Sequence, residues 1–159
     1  MVQAWKPLTR EEYDDVWDRF YWEFGFRPSV NPENFPGIRE PVPSITWTLL
    51  RSPWTAENED ELHRQFLAAF RACTTAEETL YALDWQHPGY WFRPHVPFEA
   101  WAVPVLPNGD YSISLSQDFA WGVFGHPWEW TLCSFGGPLL DALAAGDFPH
   151  MLTSAVRRH

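Results

Sequence analysis

The chain has 159 residues and is 45% hydrophobic and 18% aromatic, with 11 Trp, which suits one domain around its own core and excludes a disordered chain. Eleven Lys and Arg against 21 Asp and Glu leave a formal charge of −10, which repels phosphate backbones and anionic lipid and argues against nucleic-acid or membrane-surface binding. The charge keeps an aromatic-rich chain dispersed in water, and a basic partner or a cationic ligand stays open.

The first residues, "MVQAWKPLTREEY", lack the apolar run of a secretory signal, and no stretch approaches about 20 apolar residues. A soluble cytoplasmic protein is expected. "LTREEYDDVWDRFYWEFG" reads as a helix. Thr9 and Glu12 have capping-box spacing, Val16, Trp17, Phe20 and Phe24 recur at helical intervals, and Gly25 can end it. Residues 26–43 hold five prolines, which rules out a helix or a central strand. Phe26, Val30, Phe35, Ile38 and Val42 would hold this segment in order on the surface. "SITWTLL" is a strand of β-branched and aromatic residues.

"TAENEDELHRQFLAAFRAC" is a second helix, with Asn58 and Glu61 as its capping box and Leu62, Phe66, Ala69, Phe70 and Cys73 as its buried stripe. His63 lies off that stripe and reads as solvated. Strands dominate from residue 79: "TLYALDW" and "YWFRPHV" flank "HPG", "WAVPVL" and "DYSISLS" flank "PNG", and "FAWGVFG" and "WEWTLCSFG" flank "HP". Ser112, Ser114 and Ser116 alternate with Tyr111, Ile113 and Leu115 and read as a wet strand face. "PLLDALAAG" is a helix with Pro138 at its first position, and "PHMLTSAVRR" reads as a last short helix. Cys73 and Cys133 form no C-x-x-C pair and read as small buried hydrophobes.

Segregated helices and strands predict an α+β fold: a single domain over residues 1–159, with a curved antiparallel sheet of about five to six strands and helices packed on one face. Three passages, "VWDRFYWEFGFRPS…PGIREPVPSITW", "LYALDWQHPGYWFRPH" and "LPNGDYSISLSQDFAWGVFGHPWEWTLCSFG", resemble a bacterial family of unknown function, numbered twenty-seven sixteen. The resemblance spans nearly the whole chain. It implies a small stand-alone bacterial protein and supplies no catalytic residue to carry over.

Chemistry therefore rests on two polar clusters. In the first, pairing of 79–86 with 91–96 would place Tyr81, Leu83 and Trp85 on one face with Phe92 and Val96. Asp84 and Gln86 would share the other with Trp91, Arg93 and His95. Pro88 cannot take the positive φ of a tight hairpin turn, so a longer loop is needed, and a slip of one residue would invert the faces. The polar face is either an Asp84–Arg93 pair edged by Gln86 and His95, worth about 0–1 kcal/mol, or a recess for a small ligand, with His87 at its turn. The second cluster is His126 and Glu129 in "FGHPWEW". A curled sheet would bring both clusters together.

No spacing matches H-E-x-x-H, G-x-S-x-G or a Gly-rich phosphate loop, so neither metal nor cofactor is expected. Two functions remain. One is a non-catalytic module binding a small molecule or a protein partner, with many Trp anchors. The other is a small enzyme acting on an uncharged or cationic, possibly aromatic substrate. There His95 or His126 would exchange a proton, Asp84 or Glu129 would orient the imidazole, and Arg93 would stabilise negative charge.

Overall fold

The computed structural model describes residues 2–146 and 151–159. Three helices form where the apolar stripes predict them. In α1 (Arg10–Phe24) the Thr9 side chain accepts from the Glu12 backbone N–H and the Glu12 carboxylate accepts from Thr9 N–H, the reciprocal box expected. Gly25, at φ 57°, closes it with an N–H bond to the Tyr21 carbonyl. Helix α2 (Ala56–Ala72) starts earlier than expected. Thr55 is its cap, accepting from Asn58 N–H, while the Asn58 amide is turned back to the Pro53 carbonyl. Helix α3 (Gly137–Ala145) has Pro138 in its first turn and Gly146 after its end. Among the described residues no helix is long and apolar enough to cross a membrane.

The strands are β1 (Trp5–Pro7), β2 (Ser44–Thr48), β3 (Leu80–Asp84), β4 (Tyr90–Phe92), β5 (Ser112–Leu115), β6 (Gly122–His126), β7 (Thr131–Phe135) and β8 (Ala155–Arg158). They form one sheet in the order β1-β4-β3-β5-β6-β7-β2-β8, antiparallel throughout. The sheet thus has eight strands rather than five or six. Both edges escape sequence reading. β1 is too short to show alternation. β8 forms at the C-terminal end of the segment read as a last helix, whose residues 149 and 150 lie outside the described residues.

The strand expected at "WAVPVL" does not form. Val103, Val105 and Leu106 are buried there, but the N–H groups of Val105 and Leu106 turn to His63 Nε2 (2.9 and 3.4 Å) instead of a strand. His63 is therefore no solvated residue. Its Nδ1 donates to the Glu59 carbonyl (2.7 Å), leaving Nε2 free to accept, and burial lowers its pKa.

Helices cover both faces of the sheet, not one. Trp17, Phe20 and Phe24 of α1 pack on Leu83, Ile113 and Phe124. Leu62, Phe66 and Phe70 of α2, with Leu139 and Leu143 of α3, pack on the opposite face against Leu80, Val123 and Leu132. Phe26 and Ile38 tie the proline-rich segment into the α1 layer, whereas Val30 and Val42 are exposed. Ser112, Ser114 and Ser116 are accordingly buried rather than wet. Ser112 Oγ donates to the Val105 carbonyl, and Ser116 Oγ donates to Asp118 and accepts from Trp121 N–H. Gly122 has no room for a side chain: a Cβ would stand 2.3 Å from the Ser114 carbonyl oxygen.

Candidate functional site

The β3–β4 register pairs Leu80 with Phe92, Tyr81 with Trp91 and Ala82 with Tyr90. This is one residue away from the expected alignment, and the faces invert. Trp91 stands with Tyr81 on the α1 side, ring centroids 4.5 Å apart, and Phe92 joins Leu80 in the α2 core. The five-residue connection is the cause. Pro88 forbids a tight turn, and Gln86 takes the left-handed φ of 65° two residues earlier.

The register also separates the candidate residues. Asp84 pairs with Ser112, and Ser112 with Gly125, so Asp84, Gln86, His87, His126 and Glu129 lie toward one end of the sheet. Arg93 and His95 run off the opposite end. Arg93 Nη2 donates to the Glu77 carbonyl (3.2 Å), and His95 Nε2 faces the Thr74 carbonyl and hydroxyl (2.9 and 3.1 Å). No Asp84–Arg93 pair forms, and Arg93 and His95 stand apart from the other candidate residues.

At the first end, His87 Nδ1 lies 3.5 Å from Asp84 and 3.4 Å from Asp110, and the His87 side chain is about half exposed. Burial raises the pKa of Asp84, against the pull of His87. Asp84, His87 and Asp110 bring their donor atoms within 4.8 Å of one another, close enough to share a cation. Exposed acidic groups commonly gather in this way without one. His87 and Gln86 also border a shallow hollow of about 320 Å³ with Leu8, Arg10 and Tyr13.

His126 is fully buried. Its Nδ1 accepts from the N–H groups of Trp128 (3.2 Å) and Glu129 (3.0 Å), so the neutral ring carries its proton on Nε2. Nε2 is buried without a partner among the described residues, and the ring packs among Phe35, Tyr111 and Trp128. Burial pushes its pKa down to about 4, outweighing the opposite pull of Glu129. Glu129 itself belongs to an ion network. Arg157 reaches both Glu129 oxygens (2.6 and 3.0 Å) and both Glu40 oxygens (2.8 and 3.2 Å). Thr131 donates to Glu129, Thr46 to Glu40, and His159 Nε2 lies 3.1 Å from Glu40. Burial alone would weaken the Arg157 charge, yet the two carboxylates raise its pKa, and Glu40 stays ionised below its ordinary range despite burial. This network fastens β8 to the β6–β7 turn and to residue 40.

On the α1 side of the β1–β4 edge lies a hollow of about 570 Å³, lined by Val2, Gln3, Lys6, Thr79, Trp91 and Arg93. Lys6 is the register partner of Trp91. The Trp91 Nε1–H donates to the Glu12 carboxylate (3.0 Å), which fixes the indole, and the Thr9 N–H and Trp91 bonds lower the Glu12 pKa. Among the described residues, neither Lys6 nor Arg93 has a carboxylate within ion-pair distance, and Arg93 Nε is buried with no acceptor. Sequence reasoning singled out Trp91 and Arg93 and missed Lys6, which reaches the site only through the three-residue β1. It also missed Glu40 and Arg157, whose meeting depends on contacts across nearly the whole chain.

Residues 7–140 match the family model described as "Protein of unknown function (DUF2716)". The uncharacterized protein YxiI of Bacillus subtilis (strain 168) is similar, at 34% identity over 154 residues, covering 89% of this chain and 93% of that protein. No solved structure matches.

Proposed function

The chain belongs to the DUF2716 family, and from that premise we propose that it is a cytoplasmic, non-catalytic binding module. It takes a small ligand in the recess between Trp91, Lys6 and Arg93. One observation carries this reading: in a protein of net charge −10, a hollow of about 570 Å³ gathers an anchored indole and two cationic side chains that form no ion pair with a carboxylate among the described residues. The volume lies in the range of small-molecule pockets, about 300–1,000 Å³, and an apolar wall with a few polar groups is their usual lining. A thermal-shift screen of the purified chain against metabolites tests it, because a ligand that binds only the native form raises apparent stability. A hit whose effect disappears in Trp91→Ala supports the reading. A screen without hits, or hits indifferent to Trp91→Ala, sinks it.

A second reading, an enzyme using imidazole and carboxylate as acid and base, has support at His87 alone. This ring is open to water, near Asp84 and Asp110, and borders a hollow. The histidines that the sequence suggested for this role, His95 and His126, face backbone groups: His126 is sealed and His95 is held against Thr74. Turnover of any substrate that survives His87→Gln would remove this reading.

A further inference from the structure

We propose that the ligand of the Trp91 recess carries an anionic oxygen group, a carboxylate or a phosphoryl, on a flat apolar body. This rests on the binding reading above and names the chemical class that reading leaves open. Lys6 and Trp91 are cross-strand partners on the sheet face covered by α1, so the ammonium and the indole border the same space. Arg93, two residues beyond Trp91, lines the same hollow. Its Nη2 is tied to the Glu77 carbonyl, which holds the guanidinium in place, while its Nε is without an acceptor.

Four arginines elsewhere meet carboxylates, Arg10 with Asp14, Arg19 with Glu23, Arg64 with Glu61, and Arg157 with Glu40 and Glu129, whereas Arg39 and Arg71 reach only backbone carbonyls. What marks Lys6 and Arg93 is that both border one hollow beside an anchored indole, with no ion pair to a carboxylate among the described residues. Glu12, which attracts Lys6 at a distance, spends its carboxylate on hydrogen bonds from Thr9 N–H and Trp91 Nε1–H. Counting Glu12, Lys6 and Arg93 together leaves the recess net positive. An oxyanion there gains charge-assisted hydrogen bonds from an ammonium and a guanidinium, and a flat body covers the indole. A cationic ligand would meet two like charges. This reverses the expectation, drawn from overall charge, that the ligand is uncharged or cationic.

The test uses the full chain and four probes of similar shape: benzoate, phenyl phosphate, benzamide and benzylammonium, each titrated by calorimetry and thermal shift. Binding of benzoate or phenyl phosphate, with benzamide and benzylammonium at least about tenfold weaker, supports the assignment. Which of the two anions binds better distinguishes a carboxylate from a phosphoryl ligand. Lys6→Gln and Arg93→Gln should each weaken the anion about tenfold or more. The Lys6 side chain makes no hydrogen bond among the described residues, so Lys6→Gln keeps the test decisive if Arg93→Gln folds poorly. Benzamide binding as well as benzoate, with Lys6→Gln unaffected, overturns the anion assignment and leaves the binding reading standing. No response to either anion also overturns it, and the metabolite screen then decides the broader reading.

Discussion

Acidification should unlock the β6–β7 turn through His126. The ring is fully buried, and its Nδ1 lone pair holds the N–H groups of Trp128 and Glu129. Protonation removes that lone pair and places a charge among Phe35, Tyr111 and Trp128, so the folded pKa falls from 6.5 to about 4. The sign follows from linkage. Below pH 6.5 the unfolded chain takes up a proton that the folded chain refuses, so stability present above pH 6.5 is lost as the pH falls toward 4. The full gap corresponds to about 3 kcal/mol, of which about 2 kcal/mol is lost between pH 7 and pH 5. His126→Asn keeps an acceptor for the turn and removes the titration. It loses ring packing, which lowers stability by an amount independent of pH. Urea denaturation of both proteins at half-unit pH steps should give profiles that converge by about 2 kcal/mol from pH 7 to pH 5. Parallel profiles would refute the argument, since they would mean that His126 titrates alike in the folded and unfolded chains.

Arg157→Met should cost about 3–5 kcal/mol in urea denaturation, because it strands the nearly buried Glu40 and Glu129 carboxylates. Arg157→Lys should recover little, since one ammonium cannot make two bidentate contacts; a loss below about 1 kcal/mol in Arg157→Met would contradict the clamp. Glu40 has a lowered pKa, so its contribution is full above 4.5 and disappears as the pH falls through its folded value. The acid limb of the wild-type stability curve should therefore flatten in Arg157→Met. His63→Ala should cost about 1–3 kcal/mol by leaving the Val105 N–H without an acceptor, and hydrogen exchange at Val105 should quicken; unchanged exchange there would refute the bond. Gly136→Ala should destabilise by about 2 kcal/mol or more, because Gly136 has φ 89° and a Cβ would stand 2.4 Å from the Ala120 carbonyl oxygen; a melting temperature equal to wild type would refute it.

What could be read from the sequence was local. Thr9 and Glu12 announce α1 because a capping box is complete within four residues. The β6–β7 hairpin is visible because both strands flank a short turn. The readings that failed needed a partner distant in the chain. Ser112, Ser114 and Ser116 show the alternation of a half-exposed strand, and nothing nearby reveals that this face is buried too, with Ser112 bonded to the Val105 carbonyl. His63 sits off its helix stripe, yet its partners are Glu59 on one side and Val105 on the other. The recess depended on register. Pro88 signalled an irregular turn without fixing its length, so Trp91 and Arg93 were visible as candidates while their neighbour Lys6 was not.

Sheet order has a consequence for synthesis of the chain. β2 lies between β7 and β8, and Thr48 pairs with Thr131 while Ile45 pairs with Arg158. At about 5–20 residues per second, β2 leaves the ribosome several seconds before either neighbour exists. During that interval Ile45 and Trp47 must wait unsheltered, a period in which a nascent chain of this topology is most open to aggregation and most in need of a chaperone.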